Sequence, residues 1–477
     1  MAETKEKGIA LPALIALVVS SAIGSGIFDL PSTLAKAATP GAALLAWVIT
    51  GIGILALALS LNNLVLNKPE LTGVSDYARA GFGDFAGFIS GWGYWLSAWL
   101  GNVAFATMLM SSLGYFFPPL KSGNSIAAII VASVISWALT ILVTHGIESA
   151  AFINAIVTVT KMIPIFAFVV VAILNFKAGV FTSHFWVNLA TNISGSITYS
   201  NATPAGIFDQ VKGCMMVMMW VFVGIEGATT MAARAKKKSD AGRATIIGLI
   251  SLLIIYVVVS ILPYGYLPLS KLQTMRNPVL LYLFRDMTNS FGGAFIAIGL
   301  IISILGAWLS WTMLPVEATS QMAKQDLLPE WFGKLNKHGA PANSLWLTEV
   351  LIQLFLITLL FTNQAYNFAY SLCTSAIVVC YALVGAYQLK LGWQNKNFKT
   401  TLAGLIALVF EVMAIIFSGL QYLWLCTIAY VIGFVLYYRA RKEKGHPISK
   451  LEWSLMIIIC LLAIMAIIAL VMGKIKI

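Results

Sequence analysis

A series of long apolar segments recurs from one end of the chain to the other, and it constrains the fold more than any other feature. A helix needs about 20 apolar residues to cross a bilayer, and only a membrane gives many such segments a stable place. Hydrophobic residues make up 60% of the 477 residues, charged residues 10%, and the mean hydropathy is +0.89. No soluble domain has this composition, so the sequence predicts an all-α integral membrane protein.

Thirteen membrane spans are predicted within a single transmembrane domain over residues 1–477. Their ranges are 9–35, 41–66, 84–117, 125–143, 149–175, 207–233, 244–264, 291–323, 344–362, 366–388, 401–419, 421–438 and 452–473. A cleavable signal peptide is rejected for the first, because it is long and further spans follow it. The longest loop, 176–206, is too short for a separate catalytic or nucleic-acid-binding domain.

The net charge of +12 is a topology signal. Three basic stretches, 233–243, 324–339 and 438–450, fall on the same side of the membrane as the N-terminus if thirteen spans are counted. Because cytoplasmic loops are enriched in Lys and Arg, this predicts a multi-pass protein of the cell membrane with a cytoplasmic N-terminus and an extracellular C-terminus. It gives no indication of a nucleic-acid partner.

Two spans carry glycine pairs and polar residues where hydrocarbon is expected. Span 1 contains SSAIGSGIFDLP at 20–31, and span 6 contains WVFVGIEG at 220–227. Glycine pairs favour local unwinding, and matched breaks in two halves of a chain indicate an inverted-repeat transporter with its site at the midplane. The alternative is that these glycines only allow close helix packing.

An interrupted helix offers free backbone groups of both polarities. The restarting half presents N–H groups and a positive dipole end, which favour an anion, while the ending half presents carbonyls. A zwitterionic α-amino acid fits this pair, with its carboxylate toward Ser25, Gly26 and Ile27. Its ammonium group would face carbonyls near Ile23 and in 220–223.

Four motifs resemble the amino acid, polyamine and organocation superfamily: GSGIF, YWLSAWLGN, WVFVGIEG and WTMLPVEATSQMAKQDLLPEWFGKLNKHGAP. Within it, they are most similar to bacterial arginine/ornithine and arginine/agmatine exchangers. The resemblance implies a LeuT-type 5+5 inverted repeat with broken helices 1 and 6. Its repeats would be 1–175 and 207–388, and 401–473 would add helices, so that a thirteenth follows the usual twelve.

The resemblance also implies site residues. Those expected to line the substrate site are Ala22, Ile23, Ser25, Gly26, Ile27, Asn102, Trp220, Val223 and Trp311. Those expected to gate it are Tyr94, Glu226 and Tyr381, the last at the outer gate. Trp308, one turn from Trp311, is an alternative pocket residue, and aromatic faces suit a guanidinium or ammonium group.

Buried charges in the spans are functional candidates because they are costly in lipid. Asp29 would bind the substrate's side-chain cation or hold a helix end, and Glu226 would bind a cation, relay a proton or cap the unwound helix. Lys161 would couple a proton or act as a structural countercharge. Either role argues against sodium-dependent transport. Glu317 would form a cytoplasmic salt bridge or take part in coupling.

The resemblance implies an amino acid exchanger that works by alternating access, taking arginine against ornithine or a related amine such as agmatine. Proton-coupled symport and histidine/histamine or lysine/cadaverine exchange remain alternatives. The predicted partners are amino acid and amine substrates and the lipid bilayer, and a homodimer is allowed. No cofactor, metal site or enzyme activity is predicted, because the four histidines lie in loops or at span ends and the five cysteines form no CxxC pair.

Overall fold

The computed structural model describes residues 8–191, 197–361, 365–417, 420–472 and 474–475. Twelve of the described helices are long and apolar enough to cross a membrane, and there are thirteen spans when one bent pair of helices is counted as a span. The prediction of an all-α membrane protein is confirmed.

The thirteen spans follow the predicted order. Spans 1 and 6 each consist of two helices, 1a (Leu11–Ala22) and 1b (Gly26–Ala37), and 6a (Pro204–Phe222) and 6b (Gly227–Thr230). The others are span 2 (Pro40–Asn67), span 3 (Asp84–Leu113), span 4 (Ile126–Thr144), span 5 (Ile147–Leu174), span 7 (Lys238–Ile261), span 8 (Ser290–Lys324), span 9 (Ala342–Thr358), span 10 (Ala365–Gln394), span 11 (Phe398–Phe417), span 12 (Leu420–Glu443) and span 13 (Lys450–Val471).

Short elements occupy the loops. The short helices are Val74–Phe82, Pro118–Leu120, Ala178–Thr182, Ala232–Arg234, Leu262–Gly265, Leu269–Gln273, Val279–Met287, Glu330–Gly333 and Leu359–Phe361. Strands β1 (Val187–Thr191) and β2 (Ile197–Asn201) form an antiparallel hairpin between spans 5 and 6. Gln210 anchors this hairpin, since it donates to the Val187 carbonyl and accepts from the Thr39 backbone N–H, both at 2.8 Å.

Both predicted breaks are present. Span 1 bends by 43° between its two helices, and a side chain at Gly24 would lie 2.6 Å from the Phe105 ring. Span 6 is interrupted after Phe222, where Gly224 has a φ of +109° that favours glycine. Close packing and backbone conformation therefore both require glycine at these positions.

The broken spans lie at the centre of the bundle. In the most apolar stretch of spans 3 and 6, 83% of the residues are buried, against 22% in span 13 and 28% in span 11. Span 3 packs closely on spans 8 and 10, and span 8 also packs on span 1. Non-helical backbone at membrane depth is tolerated only where protein or a cavity surrounds it, and this central position supplies that protection.

Candidate functional site

A small closed cavity lies between the two breaks. Its volume is about 10 Å³, room for about one water molecule. It is lined by Ser21, Ala22, Gly24, Ser25, Gly26, Phe105, Trp220, Val221, Val223 and Trp311. Sites for small molecules usually measure roughly 300 to 1,000 Å³, so the cavity has to widen before it can hold an amino acid.

Hydrogen bonds tie the two breaks to each other and to spans 3 and 8. The Ser21 hydroxyl lies 2.8 Å from the Gly224 carbonyl and 2.7 Å from the Leu17 carbonyl, so its proton is shared between spans 1 and 6. The Trp311 indole N–H donates to the Ser21 carbonyl at 2.9 Å, and the Asn102 amide donates to the Trp311 carbonyl at 3.2 Å. The cavity wall is therefore one connected network.

The carbonyls of the first break bind a protein cation. The fully buried Lys161 ammonium donates to the Ile23 carbonyl at 2.8 Å and to the Ser20 carbonyl at 2.9 Å. The Ser303 hydroxyl donates to the same Ile23 oxygen at 3.2 Å. Among the described residues, the N–H groups of Ser25, Gly26 and Ile27 have no backbone acceptor, so the first break offers donors to the cavity.

The second break has the opposite arrangement. Glu226, also fully buried, accepts from the Gly224 backbone N–H at 3.2 Å and from the Tyr381 hydroxyl. The Tyr94 ring lies beside Trp311, with ring centroids 6.2 Å apart. The Val223 carbonyl has no backbone donor among the described residues, so the second break offers an acceptor.

A hydrogen-bonded aromatic layer closes one side of the cavity. The Trp220 indole donates to the Tyr366 hydroxyl at 3.2 Å, and this hydroxyl donates to Ser25 Oγ at 3.3 Å. Trp220 also stacks on Tyr370, with centroids 5.8 Å apart. Tyr370 in turn lines an open vestibule of about 420 Å³, together with Tyr422.

The side beyond span 6b is closed by backbone pairing and an ion pair. The Ile9 N–H donates to the Arg234 carbonyl, and the Lys236 N–H donates to the Ile9 carbonyl, each at 2.9 Å. The Arg234 guanidinium lies 2.9 Å from the Glu317 carboxylate. Glu317 is buried, makes this salt bridge and does not line the cavity.

The structure brings most of the predicted site residues together. Six of them line the cavity: Ala22, Ser25, Gly26, Trp220, Val223 and Trp311. Trp308 is buried but does not line the cavity, whereas Trp311 does. The Ile23 carbonyl accepts hydrogen bonds from Lys161 and Ser303. Of the carbonyls predicted to bind the substrate's ammonium group, the Val223 carbonyl therefore remains available in this conformation.

Several contacts were not foreseen from the sequence. Phe105 and Val221 line the cavity, and Tyr366 and Tyr370 form its aromatic cover. The two tyrosines lie four residues apart in AYNFAYSL, a spacing that puts them on one helix face and was a usable signal. Tyr381, expected at the outer gate, lies about four helical turns from Tyr366 along span 10 and binds Glu226.

Two interrupted spans that share one closed cavity are the arrangement of a secondary transporter with its site at the membrane midplane. Residues 9–418 match the amino acid permease family, and the chain belongs to that family. It is 56% identical over 481 residues to an arginine/ornithine antiporter of Latilactobacillus sakei, covering 100% of this chain and 99% of the relative.

Two further relatives are more distant and also similar over nearly their whole length. An arginine/ornithine antiporter of Pseudomonas aeruginosa is 40% identical over 464 residues, with 94% of each chain covered. An arginine/agmatine antiporter of Chlamydia felis is 36% identical over 477 residues, with 97% of this chain and 96% of the relative covered.

Proposed function

We propose that this chain exchanges arginine for ornithine across the cell membrane by alternating access. The observation that carries this proposal is the opposite polarity of the two breaks at one cavity. The relatives named arginine/ornithine antiporters, at 56% and 40% identity over nearly the full length, support the choice of substrates.

The α-carboxylate of the substrate binds the free N–H groups of Ser25, Gly26 and Ile27 at the start of span 1b. These groups carry the positive end of a helix dipole, which favours an anion. The α-ammonium group binds the Val223 carbonyl at the second break. Trp220 and Trp311 supply aromatic faces to the aliphatic and cationic parts of the side chain.

Transport requires that each side of the cavity opens in turn. Opening toward the vestibule separates Tyr366 from Ser25 and Trp220, and opening toward span 6b separates Arg234 from Glu317. With the N-terminus in the cytoplasm, the vestibule is extracellular and the Arg234 side cytoplasmic. Since both closures are present here, the conformation corresponds to an occluded step.

The proposal includes an inverted repeat. In it, residues 1–175 and 207–388 form two five-span repeats of opposite orientation, and 401–473 adds further spans. The presence of interruptions in spans 1 and 6, five spans apart, supports this division. The extracellular C-terminus, the absence of enzyme activity and the homodimer stay predictions.

Proton-coupled symport is the second candidate, and one contact favours it. Lys161 binds the Ile23 and Ser20 carbonyls at the first break, so loss of its proton would alter the backbone next to the carboxylate site.

Labelled arginine uptake into proteoliposomes tests both candidates. Vesicles are preloaded with ornithine, agmatine, lysine or buffer, each with and without a proton gradient. Exchange predicts uptake that requires an internal basic amine and is fastest with ornithine. Uptake into empty vesicles that follows the proton gradient would overturn exchange in favour of symport.

A further inference from the structure

Asp29 is a buried carboxylate that neither break uses. Its side chain is 4% exposed, and Oδ2 accepts from the Thr33 hydroxyl at 2.7 Å. Oδ1 has no hydrogen-bond partner among the described residues. A buried carboxylate oxygen without a hydrogen bond costs free energy at membrane depth. Such a residue is therefore a candidate for binding a ligand.

Asp29 and Ser25 lie four residues apart and so share one face of span 1b. Tyr366 and Tyr370 have the same spacing on span 10, and their ring centroids are 5.3 Å apart. The Tyr366 hydroxyl donates to Ser25 Oγ at 3.3 Å. These two helix faces therefore meet, with the carboxylate one turn nearer the end of span 1b than Ser25.

The same tyrosines separate the two spaces described above. Tyr370 lines the vestibule of about 420 Å³, and its stacking partner Trp220 lines the closed cavity. On the proposed route from the vestibule to the cavity, a substrate meets this layer first. A carboxylate beside aromatic faces is a suitable environment for a guanidinium or primary ammonium group.

We propose that Asp29, Tyr366 and Tyr370 form an outer subsite, which takes the side-chain cation of an incoming basic amino acid before the cavity opens. Binding there brings the cation against the hydroxyl that links Tyr366 to Ser25 and Trp220. The subsite thus selects for positive charge before the cavity is reached, while the two breaks recognise the α-carboxylate and α-ammonium groups. The inference rests on the proposed transport of basic amino acids.

Comparison of arginine with citrulline tests the subsite. Citrulline has the same backbone groups and nearly the same shape, but its ureido group is uncharged. The inhibition constants of both compounds against labelled arginine uptake are measured in ornithine-loaded proteoliposomes. Asp29→Asn is expected to lower the preference for arginine over citrulline about tenfold, by weakening arginine, because a hydrogen bond to a charged group is lost.

Glu411→Gln is the matched control. Glu411 is a fully buried acid in span 11, whose two carboxylate oxygens have no hydrogen-bond partner among the described residues. Its neutralisation is expected to leave the arginine preference unchanged. An unchanged preference in Asp29→Asn, or an equal loss for both compounds, would overturn the subsite.

A second pair of variants keeps the test decisive if Asp29→Asn does not fold. Tyr370→Phe keeps the aromatic face and the arginine preference, whereas Tyr370→Leu removes the face and lowers that preference several-fold. An identical preference in these two variants would contradict the proposal. Failure of the unmodified protein to exchange arginine for ornithine would instead refute the proposed function, and the two failures are therefore distinguishable.

Discussion

The two helix breaks are built from similar residues but are stabilised in opposite ways. At the first break a protein cation, Lys161, binds the free carbonyls, and the N–H groups are left open. At the second break a protein anion, Glu226, binds a free N–H group, and the Val223 carbonyl is left open. Each break thus satisfies one polarity internally and presents the other to the cavity.

This difference explains how one cavity distinguishes the ends of a zwitterion. If both breaks exposed N–H and C=O groups alike, an amino acid could bind in either direction. Because each buried ion occupies the groups that would attract the wrong end, only one direction satisfies both charges. Four substitutions test this asymmetry.

Removal of the cation at the first break is expected to have the largest effect. Lys161→Met leaves the Ser20 and Ile23 carbonyls without their charged donor inside the bundle, so arginine uptake should fall at least about 100-fold. Lys121→Met, at an exposed loop position, is the control and should retain full uptake. Normal uptake in Lys161→Met would mean that the first break holds its conformation without the lysine.

Blocking the free N–H groups at the first break should have the second-largest effect. In Gly26→Val the new Cβ would lie 2.8 Å from Val221 and 2.9 Å from Trp220, in front of the free N–H groups. Arginine affinity should fall roughly 30-fold or more, and agmatine affinity less, because agmatine lacks the carboxylate. Competition assays against labelled arginine measure both, with Gly179→Val, which has open space around it, as control. Equal losses would rule out carboxylate binding there.

Weakening of the anion at the second break should have a smaller effect. Tyr381→Phe removes a donor to Glu226 but keeps the ring, so arginine and agmatine affinities should both fall about tenfold, since both compounds carry the amine. The same competition assay applies. Tyr256→Phe, a buried tyrosine whose hydroxyl has no partner among the described residues, should be neutral. A loss confined to arginine would assign Tyr381 to the carboxylate instead.

Neutralising Glu317, in the closure beyond span 6b, should have the smallest effect on uptake. Glu317→Gln keeps a hydrogen-bond acceptor for Arg234, whose side chain is 21% exposed and also donates to the Gly339 carbonyl. Because the hydrogen bond to Arg234 is kept, uptake should change by no more than about threefold, with an unaltered ratio of arginine to agmatine affinity. A loss as large as that of Lys161→Met would show that Glu317 takes part in coupling.

The sequence alone predicted the spans, both breaks and the residues with unusual chemistry in them. Paired glycines and the lone mid-span lysine are visible because they violate the apolar pattern of a membrane helix. The direction in which Lys161 points was not predictable, since its partners are the carbonyls of Ser20 and Ile23, and backbone carbonyls carry no sequence signal.

Aromatic contacts were the least predictable part of the site. Trp308 and Trp311 are both buried, and only the packing of spans 1 and 8 decides which one faces the cavity. Phe105 was indistinguishable from the many phenylalanines that fill the bundle. Residues 176–206 contain a hairpin that their loop-like composition did not indicate.

The Ser21 hydroxyl couples the two interrupted spans. Its proton is shared between carbonyls of spans 1 and 6, and the carbonyl of the same residue receives the Trp311 indole. A shift of either interrupted helix therefore changes the hydrogen bonds of the other through Ser21. A molecule with only one of the two backbone charges contacts only one break directly, so its effect on the other break depends on this one residue.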